Sequence, residues 1–244
     1  MSELFDAAGY AHARPAVHPL VIERVGARLG RRFGRALDIG CGTGLSTAPL
    51  ARLADVCLGI EPSVTMLAWA GTVAPHAHFL AGRAESLPLR THSMDLVTAA
   101  GSLNYTDLPL ALSETARVLA KDAVLAIYDF TQGRTLRDSP ALDEWFVEFV
   151  RRYPPPPGEG VAIDPRSLPG FAVEHYEDFE IGLVLSPEFY LEYALTETNV
   201  AHAIRGGVPR AEIREWCAES LRPVFQGAAR EVLFRGYFGC LLPV

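Results

Sequence analysis

Between Arg35 and Phe130, short apolar runs alternate with stretches whose apolar residues recur at helical spacing. The runs at 36–39, 56–60, 78–80, 95–100 and 123–128 are rich in Ala, Val, Leu and Ile and do not alternate with polar residues. That texture belongs to strands covered by helices on both faces. Helices are predicted between them over 45–53, over 63–70 with Ser63 as N-cap, and over 109–119. A leading helix is predicted over 17–29. The resulting βα alternation predicts a doubly wound α/β fold with a mostly parallel sheet.

Beyond Asp129 the pattern changes. An amphipathic helix is expected over 139–153, carrying Leu142, Trp145, Phe146 and Phe149, and it stops before a proline run that cannot continue a helix. A sixth strand is expected over 171–181, one helix over 186–203, another over 209–221, and a final strand over 231–242.

With 244 residues, 49% hydrophobic and 21% charged, the chain has the composition of a globular protein able to bury a large core. The net charge of -7 and the absence of a Lys/Arg-rich block argue against a nucleic-acid partner. No apolar run reaches the ~20 residues of a membrane span, and the N-terminus lacks the charge and apolar pattern of a secretory leader. A soluble, cytoplasmic protein is expected. Cys41, Cys57, Cys217 and Cys240 have no C-x-x-C spacing, so reduced thiols and no metal site are expected.

The strongest chemical signal is the run from Ala36 into Gly40, Gly42 and Gly44, a strand entering a glycine-rich turn. Glycines there let the backbone turn sharply and approach a ligand. A dinucleotide would set an anionic pyrophosphate at this turn, which the carboxylate of Asp38 opposes. A cofactor bearing an amino group and a sulfonium suits that carboxylate. Glu61, at the end of the next predicted strand, can accept hydrogen bonds from both hydroxyls of a ribose. Glu61 alone indicates an adenosine, not which adenosine cofactor.

The segments LDIGCGTG (37–44), GIEPS (59–63) with Met66 beyond it, AGRAESLPL (81–89), SMDLV (93–97) and TARVLAKDAVLAIYDF (115–130) together resemble the class I S-adenosylmethionine (SAM)-dependent methyltransferases. The likeness is to their small-molecule, type 11, trans-aconitate-methyltransferase-like branch. Tyr10 to Pro19, including Arg14, Pro15 and His18, is similar to that branch's N-terminal segment, and 193–198 to its acceptor-side helix. The resemblance implies a seven-stranded sheet with its last strand antiparallel. It implies a lid and leading helix over 1–30, a SAM-binding core over 31–130, a helical acceptor-side insertion with the sixth strand over 131–230, and a closing strand over 231–244. It places Asp38 and the Gly40, Gly42 and Gly44 turn at the methionine moiety, Glu61 at the ribose, and Pro62 and Met66 at the adenine face. Ala84, Glu85 and Ala100 complete that cofactor site, with Tyr10 and Arg14 closing from the lid. Arg83 stands where the family usually has an Asp that reads the adenine amino group. Since Arg cannot accept a hydrogen bond, that task falls to the Ala84 backbone, Glu85 or water.

Asn104 and Tyr105 stand where the family has His and Trp, in the loop beyond the fourth strand, and with Tyr193 and Thr196 they are the expected acceptor contacts. Tyr105 reads as a wall, an orienting hydroxyl, a base or a packing ring; His18 is a second candidate base. The implied reaction moves a methyl group from SAM to a small-molecule acceptor by in-line displacement, and needs alignment more than a fixed catalytic set. Two other readings stay open: a SAM-binding module without catalysis, and a nucleotide-dependent oxidoreductase.

Overall fold

The computed structural model describes residues 6–157 and 163–244. In chain order the elements are α1 (Ala7–Ala13), α2 (Val17–Leu29), β1 (Phe33–Ile39), β2 (Ala54–Glu61), α3 (Val64–Val73), β3 (His78–Ala81), β4 (Met94–Ala100), α4 (Leu108–Val118) and β5 (Leu119–Phe130). They continue with β6 (Thr135–Leu136), α5 (Ala141–Arg152), β7 (Phe171–Leu185), α6 (Pro187–Ala194), α7 (Thr198–Arg205), α8 (Arg210–Phe225) and β8 (Arg230–Pro243). They fall into two compact units. One comprises the described parts of Ala16–Phe130, Gly160–Phe179 and Gly236–Val244; the other comprises those of Met1–Pro15, Thr131–Glu159 and Glu180–Arg235. Phe5 and Gly158, at the edges of the expected lid and of the proline run, lie outside the described residues.

In the α/β unit, β1 lies between β2 and β4; β3 pairs β2 and β5 pairs β4, all parallel. The stretch of β8 from Gly236 to Leu241 runs antiparallel to β5, as the sequence resemblance implies for the last strand. The order β3-β2-β1-β4-β5-β8 reverses direction between β1 and β4. Beyond the carboxyl ends of those two strands the loops diverge to opposite faces and leave a crevice. Helix α2 buries Val17, Val21, Ile22 and Val25, each worth about 1.5–3 kcal/mol relative to exposure, and ends at Gly30 in the left-handed conformation. Ser63 and Asp107 cap α3 and α4 with their side-chain oxygens, so these starts follow from local chemistry.

The helix expected over 45–53 does not form. Residues 42–47 are turns, followed by one 3-10 segment at Ala48–Arg52. The Ser46 and Thr47 hydroxyls are drawn to Asp38, which holds this stretch against the end of β1.

The helical unit is packed around aromatic rings. Trp145 stacks on Phe149 at 4.9 Å and on Trp216 at 6.0 Å, and its Nε1 donates to Ser220 Oγ at 2.8 Å. The hydroxyls of Tyr190 and Tyr193 donate to the carbonyls of Gly133 and Gln132 at 2.9 and 2.7 Å. The single helix expected over 186–203 is two, α6 and α7, separated at Leu195–Glu197. Glu197 takes an extended conformation there, and its side chain is held by Arg14. In this unit Val232 and Leu233 of β8 pair the short strand β6, an eighth strand that the sequence pattern did not show.

Candidate cofactor and acceptor site

Strand β1 runs into the turn with φ values of 70° at Gly40, 55° at Gly42 and 88° at Gly44. A side chain at Gly40 would collide with Cβ of Ser102, the residue whose Oγ donates to the Ile39 carbonyl at 2.6 Å and ties the loop after β4 to the end of β1. A Cβ at Gly44 would lie 3.2 Å from the carbonyl oxygen and 3.3 Å from the Cα of Ala70, so glycine here lets α3 lie directly on the turn. Only glycine meets both the left-handed backbone and these approaches.

Asp38 is fully buried. Its Oδ2 accepts from Ser46 Oγ at 2.6 Å and Thr47 Oγ1 at 2.7 Å, and its Oδ1 accepts from Thr98 Oγ1 at 3.0 Å. Burial pushes its pKa up, against the pull of the three hydroxyls. The carboxylate therefore braces the turn from inside. At the end of β2, Glu61 accepts from the Gly42 N–H through Oε2 at 3.1 Å and from the Ser63 N–H through Oε1 at 2.9 Å. Its pKa is also raised by burial, with both N–H groups opposing the shift. These two bonds hold the carboxylate at the mouth of the turn.

Met66 lines the same place, its Cε 3.3 Å from where a Cβ of Gly42 would stand, and Pro62 is exposed beside it. Of the four buried side-chain polar atoms without a partner among the described residues, two belong here: Oγ1 of Thr43, inside the turn, and Oδ1 of Asn104, in the loop after β4. A buried polar atom left unpaired costs about 1–3 kcal/mol, which a ligand can recover. A glycine cradle, a strand-end carboxylate and orphaned acceptor groups fit an adenosyl cofactor bearing hydroxyls and a cation.

Ala84 is buried, whereas Arg83 extends outward with its Nε 3.4 Å from a Glu85 oxygen. Glu85 also accepts from the Asp107 N–H at 3.0 Å. Burial draws its pKa up, but the Asp107 N–H and Arg83 prevail and hold it below the usual value. Ala100 closes β4, half-buried, and Tyr105 is 64% exposed. His18 Nδ1 lies 2.9 Å from the hydroxyl of the fully buried Tyr128, with its ring edge-on to Phe130.

Tyr10, Arg14, Tyr193 and Thr196 belong to the helical unit and converge there. Arg14 Nη1 donates to Glu197 Oε1 at 3.0 Å and Thr196 Oγ1 at 3.2 Å, and its guanidinium lies 4.6 Å from the Tyr10 ring centre and 4.8 Å from that of Tyr193. Sequence reasoning assigned these four residues to two different ligands and did not foresee that they form one cluster. It also passed over Asp129 at the end of β5, whose only visible signal was an acid closing an apolar run. The four cysteines are buried free thiols. Among the described residues no group of three or more His, Cys, Asp or Glu is placed to hold a metal ion, and no helix is long and apolar enough to cross a membrane.

A family model described as a methyltransferase domain matches residues 37–127. The ubiquinone/menaquinone biosynthesis C-methyltransferase UbiE of Campylobacter jejuni is 36% identical over 103 residues, 39% of this chain and 44% of that protein. The uncharacterized methyltransferase YcgJ of Bacillus subtilis is 31% identical over 124 residues, 48% of this chain and 47% of that protein. The chain thus spans less than half the length of the curated relatives it matches. Among solved structures, a proposed type II methyltransferase from Anaeromyxobacter dehalogenans superposes with a TM-score of 0.68 at 24% identity, covering 85% of this chain and 88% of that one. That likeness bears on the fold.

Proposed function

We propose that the chain, whose residues 37–127 match a methyltransferase-domain family model, transfers a methyl group from SAM to a small, partly apolar acceptor by in-line displacement. The observation that carries this reading is Glu61, whose carboxylate is held by the N–H groups of Gly42 and Ser63 at the mouth of the glycine turn. In this reading the turn from Gly40 to Gly44 receives the amino-acid end of the cofactor, with the Thr43 hydroxyl as one of its contacts. Glu61 accepts from the ribose hydroxyls, Pro62 and Met66 cover the adenine, and Ala84, Glu85 and Ala100 complete the lining. Asp38, fully buried and bonded to three hydroxyls, contributes through the turn it braces and through its charge. The cofactor brings an activated methyl group on a positively charged sulfur. The protein's part is to orient the acceptor and exclude water, and aligned reactants can gain roughly 7–11 kcal/mol from positioning.

On the acceptor side, Asn104 and Tyr105 are the proposed contacts, and Oδ1 of Asn104 is a buried acceptor in need of a donor. Tyr193 and Thr196 are kept as proposed acceptor contacts and Tyr10 and Arg14 as proposed cofactor contacts. Incubating the protein with methyl-labelled SAM and a small-molecule extract tests the reading. Transfer of label to a low-mass product is expected. A chain that binds neither SAM nor S-adenosylhomocysteine sinks it.

A further inference from the structure

We propose that Asp129 is the group that takes the proton released by the acceptor during methyl transfer, so that the acceptor's nucleophile is an O–H or an N–H. The proposal rests on the methyltransferase reading above and adds to it a residue and an acceptor class.

Near the carboxyl ends of β1, β2, β3 and β5 lie the carboxylates of Asp38, Glu61, Glu85 and Asp129. The first three are engaged at both oxygens. Asp38 accepts from three hydroxyls, Glu61 from two backbone N–H groups, and Glu85 from the Asp107 N–H while its other oxygen faces Arg83. Asp129 differs. Its Oδ1 accepts from the N–H of Phe130 at 2.8 Å, and its Oδ2 has no donor among the described residues. Oδ2 is not one of the buried unpaired atoms either, so it faces open space on a half-buried residue.

The direction of that side chain is set by its neighbours. Tyr128 is in register with Ala100, the last residue of β4, and the Gly101 N–H donates to the Tyr128 carbonyl at 2.9 Å. A Cβ at Gly101 would stand 2.8 Å from Asp129 Oδ1 and 3.3 Å from its Cγ, so the carboxylate leans across the glycine that opens the loop bearing Asn104 and Tyr105. In an open α/β sheet ligands bind beyond the strand carboxyl ends, so a carboxylate with one open oxygen at the ends of β4 and β5 is placed to meet an acceptor.

The charges around it favour a base. No Lys, Arg or His pairs with Asp129 among the described residues. On β8 the titratable residue in register with it is Tyr237, whose hydroxyl donates to the Ile163 carbonyl at 2.9 Å. Burial, assisted by the Asp129 charge, pushes the ionisation of Tyr237 up, so it stands neutral opposite the carboxylate. The turn at Gly101 brings no charge. Burial likewise raises the pKa of Asp129, against the Phe130 N–H, and moves it toward the range useful to a general base.

The step balances. A lone pair on the acceptor oxygen or nitrogen forms the bond to the methyl carbon while the carbon–sulfur bond breaks and its electrons remain on sulfur. The proton of the acceptor passes to Asp129 Oδ2 and then to water.

The test combines an equilibrium and a kinetic readout on the full chain. A 13C NMR titration of the aspartate carboxyl carbons, assigned by loss of one signal in Asp129→Asn, is expected to show Asp129 titrating above the usual carboxylate range. Asp129→Asn is expected to bind S-adenosylhomocysteine like the parent chain, to lose about 10²–10⁴-fold in label transfer from SAM to extract components, and to lose the acidic limb of the pH–rate profile. Asp129→Glu is expected to recover part of the rate. An ordinary titration of Asp129, or an Asp129→Asn protein with unaltered rate and pH profile, overturns the assignment and leaves the methyltransferase reading standing. Failure of the parent chain to bind S-adenosylhomocysteine overturns both.

Discussion

Replacing Glu61 by alanine is the sharpest test of the cofactor site, because the carboxylate holds two backbone N–H groups and is proposed to hold a ligand. In the free chain its loss deprives the N–H groups of Gly42 and Ser63 of acceptors at 3.1 and 2.9 Å. Both residues are only half-buried, so the fold should tolerate the change with a modest loss of stability. In the complex the loss is greater. A hydrogen bond to a charged group is worth about 1.5–3 kcal/mol, and each 1.4 kcal/mol is about tenfold in Kd, so losing one ribose contact should weaken S-adenosylhomocysteine by roughly 10- to 150-fold. Glu61→Gln, which keeps one acceptor oxygen, should fall between. Calorimetric titration gives the affinities, and circular dichroism melting shows that each variant is folded. A pH series adds an independent check. Burial raises the pKa of Glu61, and ligand bonding needs the ionised form, so affinity should hold at neutral pH. It should decline as pH falls through that raised value, at a higher pH than for an exposed glutamate. Unchanged affinity in a folded Glu61→Ala chain would refute the ribose assignment.

Gly40→Ala should weaken both folding and S-adenosylhomocysteine binding, since it places a side chain at φ 70° and against Ser102. The backbone term alone is about 1–2 kcal/mol, and a melting curve like that of the parent chain would contradict it. Arg14→Met should lower stability by about 3–5 kcal/mol by removing the cation paired with Glu197, whose side chain is 8% exposed. Adding Glu197→Gln should restore part of this in urea denaturation, and no recovery would mean that the aromatic packing of Arg14 dominates. Tyr105→Phe should leave turnover within about threefold if the exposed ring acts as a wall, whereas a loss of about 10²-fold or more would assign the hydroxyl a proton-transfer role.

Much of the α/β unit was legible along the chain because its causes are local. Continuous apolar runs separated by helical spacing mark strands covered on both faces, Ser63 caps the helix that follows it, and Gly40, Gly42 and Gly44 make the sharp turn that their place after the strand suggested, each with a left-handed backbone. The strand β5 and the last strand also stood where the pattern put them, the last one antiparallel as the family resemblance implied.

Tertiary structure decided the rest wherever a side chain's partner is remote in sequence. Residues 45–53 have a helical pattern, yet Ser46 and Thr47 bond to Asp38 instead and the stretch folds as turns. The break between α6 and α7 carries no glycine or proline at Leu195–Glu197; Glu197 is claimed by Arg14, 183 residues away. Asp38 reads as a partner for a cation; that Ser46, Thr47 and Thr98, the last 60 residues on, also hold it against the turn appears only in the folded chain. Asp129 looks like one strand-end acid among several. Only the packing of the other three carboxylates against hydroxyls, N–H groups and an arginine leaves it as the one with an open oxygen. Local patterns determine where strands, caps and turns begin, because their energies arise within a few residues; which polar groups are consumed internally and which remain for chemistry depends on contacts that only the folded chain creates.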